Sequence, residues 1–139
     1  MKSYWPTEFH ELEVTTPKEI IEQQLKYLPT LTGDKIYGEL TEISKSQLLF
    51  TEFKKTNFAY KFYIKGKFLK NYSFEAFQIV YNIDIYPVEV SLDDEIENEL
   101  GLPHGVIELD NQEDFVKIFE SVLKSKRVKN VIGAIMKLS

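Results

Sequence analysis

The chain has 139 residues, 43% hydrophobic and 14% aromatic, which is enough apolar surface for one core; we expect a single domain over residues 1–139 and no disordered chain. It contains no cysteine, which excludes disulfides, thiol catalysis and thiolate-bound metal. A net charge of −5 and a pI of about 5.1 argue against nucleic acid as a partner, and the absence of a long apolar run or a secretory leader points to a cytoplasmic protein with no membrane association.

Residues 1–15 carry Trp5, Phe9, Leu12 and Val14 without a clear period and read as an ordered arm or a flexible N-terminus. The next stretch, TTPKEIIEQQLKYLP, has helix-start chemistry. Thr16 suits the N-cap, Pro17 the first helical position, and Glu19 closes a capping box. Ile20, Ile21, Leu25 and Leu28 form one apolar stripe, and Pro29 is expected to end the helix, giving Pro17–Leu28. Thr32–Asp34 reads as a turn.

From Lys35 the apolar period shortens to two. KIYGELTEI, LLFTEFKK, FAYKFYIKG, NYSFEAFQIVYN and IYPVEV read as five strands. In the fourth, the apolar set shifts by one residue after Ala76, which predicts a bulge there or a strand covered on both faces. Pro87 places the fifth at an edge or a bulge. A strand at Ile85–Val90 on an edge would offer a surface for pairing two copies, so both monomer and homodimer are compatible with the pattern.

The remainder is mostly helical. Ser91 is the expected cap of LDDEIENEL and Gly101 its terminator, VIEL is a short extended piece, Asn111 caps QEDFVKIFESVLK, and Ser125 opens KRVKNVIGAIMKL. One helix, short-looped strands and then helices define an α+β fold: an N-terminal helix, a meander of about five antiparallel strands, and C-terminal helices packed on the sheet.

Charge is segregated along the chain. Lys54–Lys70 holds six lysines and no acid, whereas Asn71–Val116 holds twelve acids and no lysine or arginine. Helix-dipole and capping roles account for part of the acidic run. What remains suggests a surface that steers a basic protein, with Asp93, Asp94, Glu97, Glu108 and Asp110 as the candidate contacts. On this reading Asp93→Lys combined with Glu97→Lys weakens binding and leaves the fold intact.

Signs of catalysis are lacking. DDEIENELG does not have the spacing of a calcium loop, neither His10 nor His104 has a helical zinc partner, and no glycine-rich phosphate loop occurs, so no metal or cofactor is expected. Tyr63 between Lys61 and Lys65, with Tyr37 nearby, offers a base-stacking platform that the net charge opposes. The sequence therefore reads as a non-enzymatic interaction protein, in its most concrete form an immunity- or antitoxin-like protein of bacterial type with an acidic partner-binding face. The alternative is a small-molecule-binding or catalytic domain with a pocket between sheet and helices.

Overall fold

A computed structural model describes residues 1–139. Its elements are α1 (Pro17–Leu25), α2 (Tyr27–Leu31), β1 (Ile36–Glu42), α3 (Lys45–Leu48), β2 (Phe58–Gly66), β3 (Leu69–Tyr81), β4 (Val88–Leu92), α4 (Asp94–Leu100), β5 (Val106–Leu109), α5 (Gln112–Leu123) and α6 (Lys126–Leu138). The five strands form one antiparallel sheet in the order β1-β2-β3-β4-β5, with every helix but the short α3 packed on one face. The fold is α+β, as the segregation of periods predicts. No helix is long and apolar enough to cross a membrane.

The helix-start signals act as read. The Thr16 side chain accepts the Glu19 N–H while Glu19 reaches back to the Thr16 N–H; Asn111 and Ser125 cap α5 and α6. The inner sheet face and the helix stripes meet in a core of which Ile21, Ile36, Phe62, Ile64, Ile79, Val88, Ile96 and Phe115 are almost fully buried. Four phenylalanines tie sheet to helix. Phe62 and Phe77 stack across β2 and β3 at 4.9 Å, and Phe119 of α5 meets both edge-on at 6.3 and 5.8 Å, with Phe115 beside it.

The bulge falls at Ala76. Phe62 pairs with Phe77 and Tyr63 with Glu75, so Ala76 is the unpaired extra residue. Its effect is the predicted phase change: Phe74 lies inward before it and Phe77 and Ile79 lie inward after it.

Four expectations need correction. Pro29 does not end the helical segment; the chain kinks at Lys26 and Pro29 falls in the first turn of α2, where a missing N–H costs nothing. LLFTEFKK is not a strand. Ser44 and Gln47 form a capping box that starts the short α3, Leu49 and Phe50 are solvent-exposed, and β1 pairs directly with β2. The fifth strand of the sheet is instead VIEL. Finally, β4 is not an edge: it lies between β3 and β5, Pro87 precedes its first residue, and Ile85–Val90 is therefore closed to pairing with a second copy. The cap of α4 is Asp93, because Ser91 is still paired with Gln78 inside β4.

The 44–57 segment crosses the outer face of the sheet and is held there. Leu48 and Phe53 pack with Ile43, Ala59 and Val80. The buried Glu89 carboxylate accepts the Lys54 N–H at 2.9 Å and the Lys55 N–H at 2.6 Å, while Asn82 Oδ1 accepts the Thr56 and Asn57 N–H groups. Glu89→Ala leaves two part-buried amides without their charged acceptor, and urea unfolding should show a loss of about 3 kcal/mol with faster amide exchange at Lys54 and Lys55. A loss under about 1 kcal/mol would mean that Asn82 and the apolar contacts hold the segment without Glu89.

Candidate functional site

The acidic run folds into α4, the turn after it, β5 and the start of α5, and the structure divides its carboxylates into two groups. Several are consumed by the fold. Asp93 caps α4 by accepting the Glu95 and Ile96 N–H groups at 3.1 and 3.2 Å. The Arg127 guanidinium lies over the Phe74 ring at 5.0 Å, with Nε 3.6 Å from Asp93 and 3.4 Å from Glu95. Glu99 accepts the Lys126 and Arg127 N–H groups at 2.8 and 3.0 Å and so neutralises the open N-terminus of α6.

Glu97 is buried, 4% exposed, although it sits in the middle of an acidic stretch. Gly101 ends α4 in the left-handed conformation at φ 67°, and the chain returns so that Glu97 Oε1 lies 2.8 Å from His104 Nδ1 and Oε2 accepts the Gly105 N–H at 3.2 Å. Asp94 lies 3.9 Å from the same nitrogen. Glu52, brought across by the 44–57 segment, faces Gly105: a Cβ there would lie 3.4 Å from Glu52 Oε2. The exposed imidazole therefore stands among three carboxylates, and its pKa is raised above the ordinary histidine value, chiefly by the hydrogen bond to Glu97 and then by the charges of Glu97 and Asp94.

The oxygen and nitrogen ligand atoms of Asp94, Glu97 and His104 lie within 4.8 Å of one another, a donor set suited to a divalent cation. Nδ1 of His104 and both oxygens of Glu97 are already engaged, however, so cation entry would require these contacts to break.

The five candidate contacts thus separate. Asp94, Glu108 and Asp110 are exposed and have no lysine or arginine within ion-pair distance, whereas Asp93 and Glu97 serve the fold. Reversing the charges of Asp93 and Glu97 would strip the α4 cap and bury an ammonium, so that pair of substitutions tests folding and not partner contact. Glu108 lies opposite Glu89 in the β4–β5 register and shares its outward sheet face. Glu52 is the addition that sequence alone could not supply, since only the crossing segment brings it beside His104.

On the outer sheet face Lys61 pairs with Glu75 and Lys65 with Glu39, and the Tyr63 hydroxyl meets Glu75 at 3.4 Å. The lysines flanking Tyr63 are thereby neutralised, which removes the charge a base-stacking platform needs. Burial pushes the Tyr81 and Tyr86 phenols up to about 12, so both stay neutral near pH 7. His10 has Glu8 as its one charged neighbour, at 3.3 Å.

A second feature lies under the helices. A groove of about 630 Å³ opens between the α1–α2 and α5–α6 pairs. Phe62 and Ile64 of the sheet form its floor, Leu25, Leu28, Leu123 and Ile132 its walls, and Lys124 and Lys129 stand at its rim. Lys124 is paired with Glu120 at 3.1 Å. The volume and lining are those of small-molecule sites in general.

Comparison with protein-family models, with curated proteins and with solved structures finds no match to this chain.

Because the folded-state pKa of His104 is raised, its contribution to stability is complete below the unfolded value, about 6.5, and is lost as pH rises through the folded value. NMR titration of the imidazole should give a pKa above the ordinary range, falling back toward it in Glu97→Gln. An ordinary value in the unaltered chain would rule out the contact with Glu97 in solution.

Proposed function

We propose that the protein is a non-enzymatic binding protein whose acidic end engages a basic protein. The observation that carries this reading is the set of carboxylates left over after folding. Glu52, Asp94, Glu108 and Asp110 come from three separate parts of the chain and lie outside every ion pair with lysine or arginine. Asp94, Glu108 and Asp110 belong to the Asn71–Val116 segment, which has no basic residue, and Glu52 is brought beside Gly105 by the 44–57 segment, which also carries Lys54 and Lys55. Uncompensated surface carboxylates repel one another and raise the rate of encounter with a cationic surface. In its specific form the partner is an enzyme with a basic substrate-binding surface, which the acidic end covers as an immunity or antitoxin protein would.

Affinity capture from lysate at low salt, followed by a salt gradient, tests the reading. A basic protein should be retained by the unaltered chain, and Asp94→Lys with Glu108→Lys should lower its association rate by about tenfold. Both side chains are exposed, so the variant stays folded, with a small loss of stability from the charge reversed in the first turn of α4. Retention that survives both substitutions would count against the acidic end.

The groove supports a second reading, a binding site for a small apolar molecule. A thermal-shift screen of metabolites should then find a concentration-dependent rise in melting temperature that Ile132→Trp, which fills the groove, abolishes. A rise that persists in Ile132→Trp would place the ligand elsewhere.

A further inference from the structure

The structure holds two complementary features that are not joined within one chain. The first is an open sheet edge. β4 pairs with β3 over Phe77–Tyr81, and the Asp93 N–H takes the Ala76 carbonyl, so Leu69–Glu75 has no strand on that side. Within it Lys70–Tyr72 bulge from the β2 ladder, which pairs Lys65 with Ser73 and Gly66 with Leu69. Lys70, Asn71, Tyr72 and Ser73 are exposed. Beside this edge, β3 and α6 bound an apolar groove of about 570 Å³, with Tyr72, Val131, Ala134 and Leu138 in its walls. Lys67 and Lys70 border a separate hollow at the same edge, with Tyr37, Lys65 and Ser73, and neither has an acidic partner.

The second feature is the arm, Met1–Val14, which has no helix or strand and is exposed along its whole length. Exposed arms are normally polar. This one carries Tyr4, Trp5, Phe9 and Leu12, with Trp5 77% and Phe9 72% exposed and their rings 6.1 Å apart. It also carries Glu8, Glu11 and Glu13. In an extended conformation Trp5 and Phe9 share one face with Glu11 and Glu13; Tyr4, Glu8 and Leu12 lie on the other, and the contact between the Trp5 and Phe9 rings in the free arm is given up.

We infer that the arm of one molecule adds as a strand to the open β3 edge of a second copy, with Trp5 and Phe9 in the groove against α6 and Glu8, on the arm's opposite face, toward Lys67 and Lys70. Three needs are met together: backbone groups without partners, apolar rings without cover, and charges of opposite sign. Pro6, which lacks an N–H, is tolerated in an added edge strand where that position faces solvent.

Direct antiparallel pairing of two β3 edges about Tyr72 would set Lys70 opposite Phe74 and leave the rings of both arms uncovered. Docking of the arm on its own edge is obstructed. Thr15 is fixed at the opposite end of β3, where its N–H donates to Gln112 Oε1 and its carbonyl accepts the Tyr86 hydroxyl. From there to Glu75 the side of β3 is taken by β4 and the start of α4. Two arms exchanged about a two-fold axis satisfy both molecules. This inference stands independently of the acidic-end proposal.

Sedimentation equilibrium up to about 100 μM should show a dimer. Trp5→Ala with Phe9→Ala removes the arm's anchors, and Ala134→Glu places a charge in the groove at an exposed helix position; each should raise the dimer dissociation constant by about tenfold or more. Circular dichroism melting checks that both variants remain folded. An equal mixture of the two variants regains one intact arm-and-groove contact, so heterodimers should form in it while each variant alone stays monomeric. An unaltered chain that sediments as a monomer would falsify the inference, as would a dimer that persists in Ala134→Glu or a mixture that stays monomeric.

Discussion

The extra residue at Ala76 organises much of the molecule. It rotates β3 by one position, so that Phe74 on one side of it and Phe77 on the other both point into the core. It also sets where β4 must stop. Leu92 pairs with Phe77, and the next residue, Asp93, gives its N–H to the Ala76 carbonyl at 2.9 Å and turns the chain into α4. Asp93 then caps that helix and faces Arg127, whose guanidinium covers Phe74 on the far side of the bulge. This irregularity thus bears on the β3–β4 register, the departure of α4 and, through Arg127 and Glu99, the seat of α6; a second shift, between Lys65 and Gly66, lies at the hairpin end. The same early stop of β4 leaves the first half of β3 paired only with β2 and open on its other side.

The carboxylates show how tertiary structure sorts a uniform-looking run of charge. Nine acids lie between Val90 and Phe115. Asp93 and Glu99 serve helix N-termini, where four N–H groups lack intrahelical acceptors. Glu97 closes the turn at His104 and Gly105, and Glu95 faces Arg127. Glu89, just before this run, is buried beneath the 44–57 segment and holds two of its amides. Each contact gives a local reason for an acid at that position. Asp94 stands in the first turn of α4 and near His104, whereas no contact of this kind engages Glu108 or Asp110.

The two faces of the sheet differ in the same way. The inner face is filled by phenylalanine and branched aliphatic side chains and is closed by the helices, apart from the groove between α1–α2 and α5–α6 and the groove between β3 and α6. On the outer face Lys61, Lys65, Glu39 and Glu75 neutralise one another, leaving little net field. The unbalanced charge sits at the ends: acidic around α4 and β5, basic at the β2–β3 hairpin with Lys67 and Lys70.

The elements whose causes are local were legible in the sequence. A capping box, a proline at a first turn, a glycine terminator and an apolar period each depend on residues within about four positions, so α1, α4, α5, α6, β1, β2, β3 and the shift at Ala76 could be read directly. LLFTEFKK misled because alternation implies a strand only where a neighbouring strand is free, and β1 and β2 already pair with each other. The Ser44–Gln47 capping box was the local sign of a helical turn there. Likewise, Pro87 indicated an edge, but edge or interior depends on whether VIEL arrives from twenty residues downstream, which no local pattern encodes. The candidate site divides on the same line. The excess of acids was visible in the composition of one segment, while the burial of Glu97, the approach of Glu52 to His104 and the open half of β3 were decided by long-range packing, because burial and proximity belong to the folded arrangement and not to the order of residues.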